Sequence, residues 1–415
     1  MSSLRKGSRV LVLVPGALGE RLSGPEIRSV RLAGALSAEH EVTLMAAGAE
    51  RGRYEGMRVV PFSRWRLLRE ARRHDVLMAP TVPPFALLLK RRLGIVAVSD
   101  QYDPVELELG TLGEGATRAR ATARAARRLQ LRCADLVLCA GERQRELLEA
   151  ELDDLGDARP PLCTVPFGID GEPPPRTGSP LREHFPQIAK EDRVVLWWGS
   201  LWRWLDAETA IRAFASIALA HPEVKLVFTS GRPPNGDVER HSVVSEAKEL
   251  AARLGVLDRT VLFLDEWVPY ERRGDYLQEA DLGLTLHRDT DEAPLAARAR
   301  YMDYLWAELP CVLGRGDETA ARFESAGFAT LVEPGSPEAV ARAIRELLRE
   351  RAGERARTAG QTLADEFRWS RVADSLLLSL RAVEPAAATG DHPGELRGTT
   401  SYYLRRLVDR VSPSA

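Results

Sequence analysis

The sequence contains little cysteine and little histidine, and this scarcity excludes several kinds of site. Four of its 415 residues are cysteines and seven are histidines. No two cysteines form a Cys-x-x-Cys pair, and no group of cysteines and histidines has the spacing of a metal site. The cysteines are therefore predicted to be small buried residues in a reducing compartment.

Long apolar runs and an excess of one charge are also missing. The longest apolar runs fall well short of the roughly 18 residues that a membrane-spanning helix needs. The opening MSSLRKGSR leads directly into a strand-like run and does not resemble a signal peptide. With 58 basic and 60 acidic side chains the net charge is −2, so nucleic acid is not an expected partner. We expect a soluble, cytoplasmic protein.

The sequence motifs of several large enzyme classes are absent. The chain contains no Gly-x-x-x-x-Gly-Lys-Ser/Thr, no His-Glu-x-x-His and no Gly-x-Ser-x-Gly. It also lacks Gly-x-Gly-x-x-Gly, so the dinucleotide fingerprint is missing and a nicotinamide enzyme is disfavoured.

What the chain does contain is an alternation of short apolar runs with amphipathic helical segments, in two series. Uniformly apolar strands separated by helices are typical of parallel sheets whose two faces are covered by helices. The strand-like runs are residues 9–14, 41–47, 75–80, 94–100, 135–140 and 162–167 in the first series, and 193–200, 224–231, 260–266, 281–287, 310–314 and 329–333 in the second. Two such series predict two doubly wound α/β domains.

A stretch rich in proline and glycine separates the two series. We predict an N-terminal domain over residues 1–170, a linker over 171–192, a C-terminal domain over 193–382 and a tail over 383–415. The last helix of the C-terminal domain packs either there or back on the N-terminal domain. Ligands of doubly wound sheets bind beyond the carboxyl ends of the strands, so the cleft between the two domains is the expected site.

In the first half, glycine and polar residues follow two of the predicted strands. The loop after the first strand leads into a helix start at Gly24, Pro25 and Glu26, an arrangement that presents backbone N–H groups to a phosphate or a substrate. Asp100 and Asp103 follow a later strand at the same kind of position. The alternatives are structural roles as turn residues and helix caps.

In the second half, Gly199 and Ser200 follow the strand-like run RVVLWW. A tight turn at this place brings backbone N–H groups within reach of a phosphate. Arg203 lies in the same loop and adds positive charge, so we predict a binding role for these residues.

An acidic residue lies in the apolar segment RARYMDYLWAELPCV, residues 298–312. Asp303 needs partners there, because a carboxylate buried without hydrogen bonds costs free energy. Arg300 precedes Asp303 by three residues and shares a helix face with it. The two alternatives are a ligand site that uses both residues and an internal ion pair with a structural role.

Two further patterns are weak. Asp289 and Asp291 form an Asp-x-Asp, but a three-residue pattern in an acidic loop is poor support for a metal, and we predict no metal site. The segment 117–132 carries six arginines and no acid, which is typical of a solvated helix face. Weak peripheral contact with a membrane is the alternative for that segment.

Several stretches together resemble the GT-B glycosyltransferases, specifically the family-4-like branch. In the second half these are WWGSLWRWLDAETAIRAFA (197–215), GRPPN (231–235), EWVPYERRGDYLQEADLGLTLH (266–287), RARYMDYLWAELPCV (298–312) and FRWSRVA (367–373). In the first half GPEIRSVRLAGALSAEHEVTL, DQYDPVELE and DLVLCAGERQRELL are similar to the amino-terminal domain of that branch. The resemblance covers roughly residues 9–382.

The resemblance implies two Rossmann-like domains that face each other across a cleft. It implies a nucleotide-sugar co-substrate (a UDP-, GDP- or dTDP-sugar) held mainly by the second domain, with no tightly bound cofactor and no metal. It also implies transfer with retention of the anomeric configuration to a small-molecule, glycan or lipid-linked acceptor.

Many members of that branch carry two glutamates eight positions apart near the last donor-binding helix. The second of them matches Asp303, which the resemblance makes a ligand of the ribose hydroxyls. The first falls on Leu295, and Glu292 is the nearest substitute. The remaining expected roles are Arg203, Arg298 and Arg300 at the diphosphate, Gly199 and Ser200 beside it, Trp267 and Val268 at the base, His287 and Glu292 at the sugar, and Asp100 and Asp103 at the acceptor.

Two other functions are compatible with this fold. One is a nucleotide-sugar 2-epimerase of the GT-B fold, which the small number of histidines disfavours. The other is a non-catalytic nucleotide-sugar-binding partner of another transferase, which the absence of an acid at Leu295 leaves open.

Overall fold

A computed structural model describes residues 4–20, 22–111, 114–154, 159–229 and 238–383. The chain forms two compact units, of which the first is Met1–Phe167 with Trp369–Ala415 and the second is Gly168–Arg368. The predicted linker belongs to the second unit, and the described residues from Trp369 to Val383 belong to the first. The GRPPN motif and, apart from Val383, the predicted tail lie outside the described residues.

Fourteen strands are found: β1 (Arg9–Leu13), β2 (Glu41–Ala46), β3 (Gly52–Tyr54), β4 (Met57–Pro61), β5 (Val76–Ala79), β6 (Val96–Asp100), β7 (Leu136–Cys139), β8 (Leu162–Thr164), β9 (Arg193–Trp197), β10 (Val224–Phe228), β11 (Val261–Phe263), β12 (Leu282–Thr285), β13 (Cys311–Gly314) and β14 (Ala329–Val332), all within the described ranges. Every run that the sequence predicted as a strand contains one of them.

The helices of the described chain are α1 (Gly24–Leu36), α2 (Arg64–Ala71), α3 (Pro84–Leu93), α4 (Val105–Gly110), α5 (Thr117–Cys133), α6 (Glu142–Asp153), α7 (Pro180–His184), α8 (Ala207–Ala220), α9 (Val238–Arg253), α10 (Arg273–Glu279), α11 (Ala299–Trp306), α12 (Glu318–Ala326), α13 (Pro337–Leu347), α14 (Glu350–Ala364), α15 (Trp369–Val372) and α16 (Asp374–Ala382). The sequence pattern predicts one helix over residues 336–352, and this prediction is wrong, because α13 ends at Leu347 and a separate helix, α14, begins at Glu350.

The first unit contains an eight-stranded sheet in the order β3-β4-β2-β1-β5-β6-β7-β8. Among the described strands its pairs are parallel except β3 with β4. That hairpin was not predicted. It turns at Glu55 and Gly56, which have φ of 47° and 81°, and a positive φ at both turn residues suits the twist of a two-residue hairpin.

The second unit contains a six-stranded parallel sheet in the order β11-β10-β9-β12-β13-β14. The chain starts at β9, proceeds outward to β11 and then returns to β12 on the other side of β9. The direction of winding therefore reverses between β9 and β12. In doubly wound sheets a ligand binds at the carboxyl ends of the two strands that flank this reversal.

The arginine-rich helix α5 uses part of its charge internally. Arg127 pairs with Glu106 at 3.0 Å and also with Glu151, and the Nε of Arg124 donates to Glu106 at 2.7 Å. These ion pairs reduce the positive charge that the segment presents outward. Within the described ranges no helix is both long enough and apolar enough to cross a bilayer.

Candidate functional site

The turn after β9 lies at the carboxyl edge of the second sheet, beside the point of reversal. Gly199 has a φ of +82°, a left-handed conformation that glycine adopts without strain. Its N–H donates to Thr229 Oγ1 at 2.8 Å, and that hydroxyl lies 3.2 Å from the carbonyl oxygen of Trp197. The end of β10 thus fixes the turn that begins with Gly199 and Ser200.

Arg300 places its guanidinium directly against this turn. It lies in the first turn of α11, and its Nη2 donates to the carbonyl oxygen of Ser200 at 2.9 Å. Its Nη1 is buried and has no hydrogen-bond partner among the described residues. Burial lowers the pKa of Arg300 to about 10, so the group stays charged at neutral pH. A half-buried cation with an unused donor is a ready binding point for an anion.

Asp303, one turn further along α11, does not pair with Arg300. Its Oδ1 accepts from Arg273 Nε at 3.1 Å, and its Oδ2 accepts from Trp198 Nε1 at 2.9 Å. The internal Asp303–Arg300 ion pair, one of the two alternatives left open by the sequence, is therefore not the pair that forms. Burial raises the pKa of Asp303, while Arg273 and Trp198 oppose that rise.

Arg273 is a site residue that the sequence analysis missed. Its guanidinium lies 3.8 Å from the ring centroid of Tyr270 and 4.0 Å from that of Trp306. It also forms a salt bridge to Asp170. The two rings and the two carboxylates hold the guanidinium in one position. The guanidinium in turn holds the Asp303 carboxylate in one orientation.

Three other predicted donor ligands lie in the interior of the second unit. Arg298 Nη2 donates to Glu292 at 3.1 Å, and Arg298 Nε lies 3.8 Å from Asp317 Oδ2. His287 is buried against Gly314, where an added Cβ would lie 2.9 Å from its ring. The contacts of Arg298, Glu292 and His287 to a donor remain predictions; in this structure Arg298 and Glu292 pair with each other.

The predicted phosphate ligand Arg203 is directed towards α9. Its Nη2 donates to Ser242 at 2.9 Å and to Glu246 at 3.1 Å. The predicted base-binding residues Trp267 and Val268 lie half-buried in the loop after β11. The Trp267 Nε1 is buried and finds no acceptor in the described part of the chain.

Among the predicted residues of the first unit, two have clear structural partners. Glu26 caps α1, accepting from the Ser23 N–H at 2.9 Å, while Gly24 and Pro25 form the first turn of that helix. Asp100 is buried in a two-point salt bridge with Arg28, with distances of 2.7 and 2.9 Å.

The remaining acceptor-side candidate, Asp103, is half-buried in the loop before α4. Arg28 was missed by the sequence analysis because it lies 72 residues from Asp100 and resembles any other helix arginine.

The described residues include no group of three or more histidine, cysteine or acidic side chains placed to hold a metal ion. Asp289 and Asp291, the two acids of the Asp-x-Asp pattern, are both exposed.

Tyr304 joins the two strands, β9 and β12, between which the direction of winding reverses. Its hydroxyl lies 2.9 Å from the carbonyl oxygen of Leu284 in β12 and 3.2 Å from that of Leu196 in β9, and it accepts from the Trp198 N–H at 3.1 Å. The ring packs on Gly283, where an added Cβ would lie 2.8 Å from a ring carbon. No side chain fits at that position without movement of the tyrosine.

We therefore expect Gly283→Ala to lower the free energy of unfolding by about 1–3 kcal/mol, because overpacking of a close-packed core forces side chains and backbone to shift. Denaturant unfolding at neutral pH measures the effect. Gly34→Ala in α1 is the matched control, since nothing lies within 4 Å of its added Cβ and alanine favours a helix. Equal stability of the two variants would contradict the packing described for Tyr304.

No protein-family model and no curated protein matches the sequence. Solved structures do match over most of the chain. Anabaena HepE in complex with UDP-glucose is 18% identical, with 90% of this chain and 100% of that chain covered and a TM-score of 0.68. Sucrose-phosphate synthase from Thermosynechococcus elongatus is 16% identical, with 90% and 98% covered and a TM-score of 0.65.

A third match is the UDP-forming α,α-trehalose-phosphate synthase from Burkholderia xenovorans in complex with glucose-6-phosphate. It is 13% identical, with 90% of this chain and 100% of that chain covered and a TM-score of 0.64. Similarity at such identities concerns the fold, and the fold class predicted from the sequence, GT-B with two doubly wound α/β units, is confirmed.

Proposed function

We propose that this protein is a glycosyltransferase that moves a sugar from a nucleotide-sugar donor to an acceptor with retention of the anomeric configuration. The observation that carries the proposal is the half-buried, positively charged Arg300 with its unused Nη1 beside the Gly199–Ser200 turn. This cation lies at the carboxyl edge of the sheet next to the winding reversal, where doubly wound folds bind nucleotides.

The donor diphosphate is proposed to bind Arg300 beside the turn at Gly199 and Ser200, where the Gly199 N–H is already used by Thr229 Oγ1. In a retaining transfer the departing phosphate oxygen can itself take the proton from the acceptor hydroxyl, so no protein base is required. Negative charge grows on that phosphate as the bond to the sugar breaks. A preorganised cation stabilises it most strongly in the transition state, which is the condition for raising turnover.

Asp303 is proposed to bind the ribose of the nucleotide. Each of its carboxylate oxygens receives one donor from the protein, from Arg273 or from Trp198. An ionised carboxylate offers about four acceptor positions, so capacity for two ribose hydroxyls is left. The side chain is 18% exposed, which keeps it accessible to a ligand.

The donor is proposed to be a UDP-sugar, with the GDP- and dTDP-sugars as the other choices. UDP-glucose is the ligand of the HepE structure, and the trehalose-phosphate synthase is UDP-forming. Trp267 and Val268 are the proposed contacts of the base, and the buried Trp267 Nε1 offers a donor to it.

The other predicted site residues are proposed in supporting roles. Asp103 is the proposed carboxylate on the acceptor side. Asp100, through its salt bridge with Arg28, is proposed to hold the loop that carries Asp103. Four other predicted residues are proposed to define the shape of the donor site while they keep the contacts described above: Arg203, Arg298, His287 and Glu292. A cytoplasmic location and a small-molecule, glycan or lipid-linked acceptor complete the proposal.

A thermal-shift series with UDP, GDP, dTDP and their sugars tests donor binding directly. A ligand at about 100 times its dissociation constant adds roughly 2.7 kcal/mol to the stability of the folded state. We expect the largest rise in melting temperature with UDP or a UDP-sugar. No rise with any nucleoside diphosphate would overturn the proposal.

One observation favours a second candidate, a nucleotide-sugar-binding protein without catalysis. Leu295 stands where the related branch carries an acid, and the nearby Glu292 is occupied by Arg298. Mass spectrometry after incubation with donor and a panel of acceptors separates the two functions. Binding without a transferred sugar supports the second, and conversion of donor without acceptor supports an epimerase.

Turnover is expected to continue in excess EDTA, because in the proposed site the cationic side chain of Arg300 stabilises the diphosphate. The double variant Asp289→Ala, Asp291→Ala should then transfer sugar at the wild-type rate. If EDTA abolishes turnover and magnesium or manganese restores it, those two acids become metal ligands and the proposed site is wrong.

A further inference from the structure

The first unit exposes an aromatic and basic surface that the proposed reaction does not use. Helix α2 and the loop before it carry Trp65, which is 83% exposed, and Phe62, which is 42% exposed. A tryptophan this exposed keeps almost all of its large apolar surface in water. This exposure is unfavourable in free energy, and contact with a partner would remove it. We call residues 62–73 the α2 surface.

The helical phase of α2 separates an inner from an outer face. Leu67, Glu70 and Ala71 are buried and point into the unit. The outer stripe follows the helical spacing i, i+3, i+4 and i+7, with Trp65 and the half-buried Leu68 followed by the exposed Arg69 and Arg72. Apolar and cationic groups therefore lie on one outward stripe.

The charge around this stripe is strongly positive. Residues 51–73 contain eight arginines and two glutamates. Both glutamates have arginine partners off the stripe, with Glu55 at 2.8 Å from Arg31 and Glu70 at 3.2 Å from Arg58. The arginines of the stripe itself are thus available to an external anion.

We propose that the α2 surface docks on an anionic lipid bilayer, with Trp65 and Phe62 at the level of the headgroups and Arg69 and Arg72 against the lipid phosphates. Tryptophan is suited to that depth because its ring is apolar and its N–H is polar. A helix lying in the interface uses this combination of an aromatic ring and flanking cations.

This surface differs from the arginine-rich helix α5. Two of the α5 arginines are committed to Glu106 and Glu151, whereas α2 adds two exposed rings to its charge. An anionic polymer would be attracted by the arginines alone and would give the rings no apolar environment. The rings therefore favour lipid over a polyanion.

Co-sedimentation of the full-length protein with vesicles of phosphatidylglycerol and phosphatidylcholine in equal parts tests the proposal. We expect binding to these vesicles and little to pure phosphatidylcholine. The double variant Arg69→Glu, Arg72→Glu should bind about 30-fold more weakly or worse, from the electrostatic contribution of two basic residues near an anionic surface. Trp65→Ala should bind these vesicles about tenfold more weakly, because it removes the apolar contribution of the ring.

Two controls keep the test specific. Arg128→Glu with Arg132→Glu makes the same charge change on exposed positions of α5, and Leu219→Ala removes an 88% exposed side chain from the second unit. Both controls should bind vesicles much as the wild type does. All variants alter exposed side chains, so unchanged melting temperatures verify that each is folded.

Quenching by brominated lipids locates the ring. We expect quenching of tryptophan fluorescence in the wild type and its loss in Trp65→Phe, which retains an aromatic ring and most of the binding. The proposal is overturned if the vesicles are not bound, if the α5 control loses as much binding as the α2 variant, or if soluble heparin is bound while vesicles are not. None of these readouts depends on glycosyltransferase activity.

Discussion

Replacing Arg300 with alanine is expected to lower turnover about 100- to 1,000-fold, the usual loss when one preorganised donor to a developing charge is removed. The guanidinium donates to the Ser200 carbonyl oxygen, and its buried Nη1 has no hydrogen-bond partner in the described part of the chain. Arg300→Ala therefore leaves no partner side chain of Arg300 unpaired there. Its removal also relieves the cost of keeping a cation half-buried. We therefore expect a large kinetic effect with a modest change in stability.

Arg298→Ala is the informative contrast, because it removes an arginine only two residues away. It leaves Glu292 and Asp317 buried without their cation, and breaking a buried pair in this way costs about 3–5 kcal/mol. Its main effect should be a lower melting temperature. Arg212→Ala, on the exposed side of α8, should change neither property. An Arg300→Ala protein with wild-type turnover would sink the diphosphate assignment.

Replacing Asp303 with asparagine is expected to weaken nucleotide binding roughly 10- to 150-fold. Asparagine keeps the volume but removes the charge, and hydrogen bonds to a charged group contribute about 1.5–3 kcal/mol. Isothermal titration with UDP measures the loss. Inorganic pyrophosphate separates the two sites, since it lacks ribose: its binding should survive Asp303→Asn and fall in Arg300→Ala.

Asp170→Asn provides the matched control for Asp303. It removes the other carboxylate that contacts Arg273 while leaving Asp303 and its bonds in place. Affinity for UDP should stay near the wild-type value. If folded Asp303→Asn protein binds UDP as tightly as the wild type, Asp303 serves only to hold Arg273 and is not a ribose ligand.

The sequence by itself was sufficient for the architecture. Uniformly apolar runs separated by amphipathic helices can be buried only as parallel strands covered on both faces, and the predicted strand positions were found. The glycine after β9 was also readable, because a tight turn at a strand end calls for a positive φ. The sequence did not indicate some local elements, among them the short β3–β4 hairpin and helix α3.

Only the tertiary structure decided which charged residues face the site. Arg298 and Arg300 differ little in sequence, but Arg298 is the last extended residue before α11 and turns inward to Glu292, whereas Arg300 is in the helix and reaches the Gly199–Ser200 turn.

The neighbours Arg272 and Arg273 differ in the same way. The side chain of Arg272 is 60% exposed and that of Arg273 only 7%. The sequence shows which residues are charged, but the direction of each charged side chain depends on the rotational phase of its helix against the sheet. Partners distant in the chain, such as Asp303 for Arg273, set that phase.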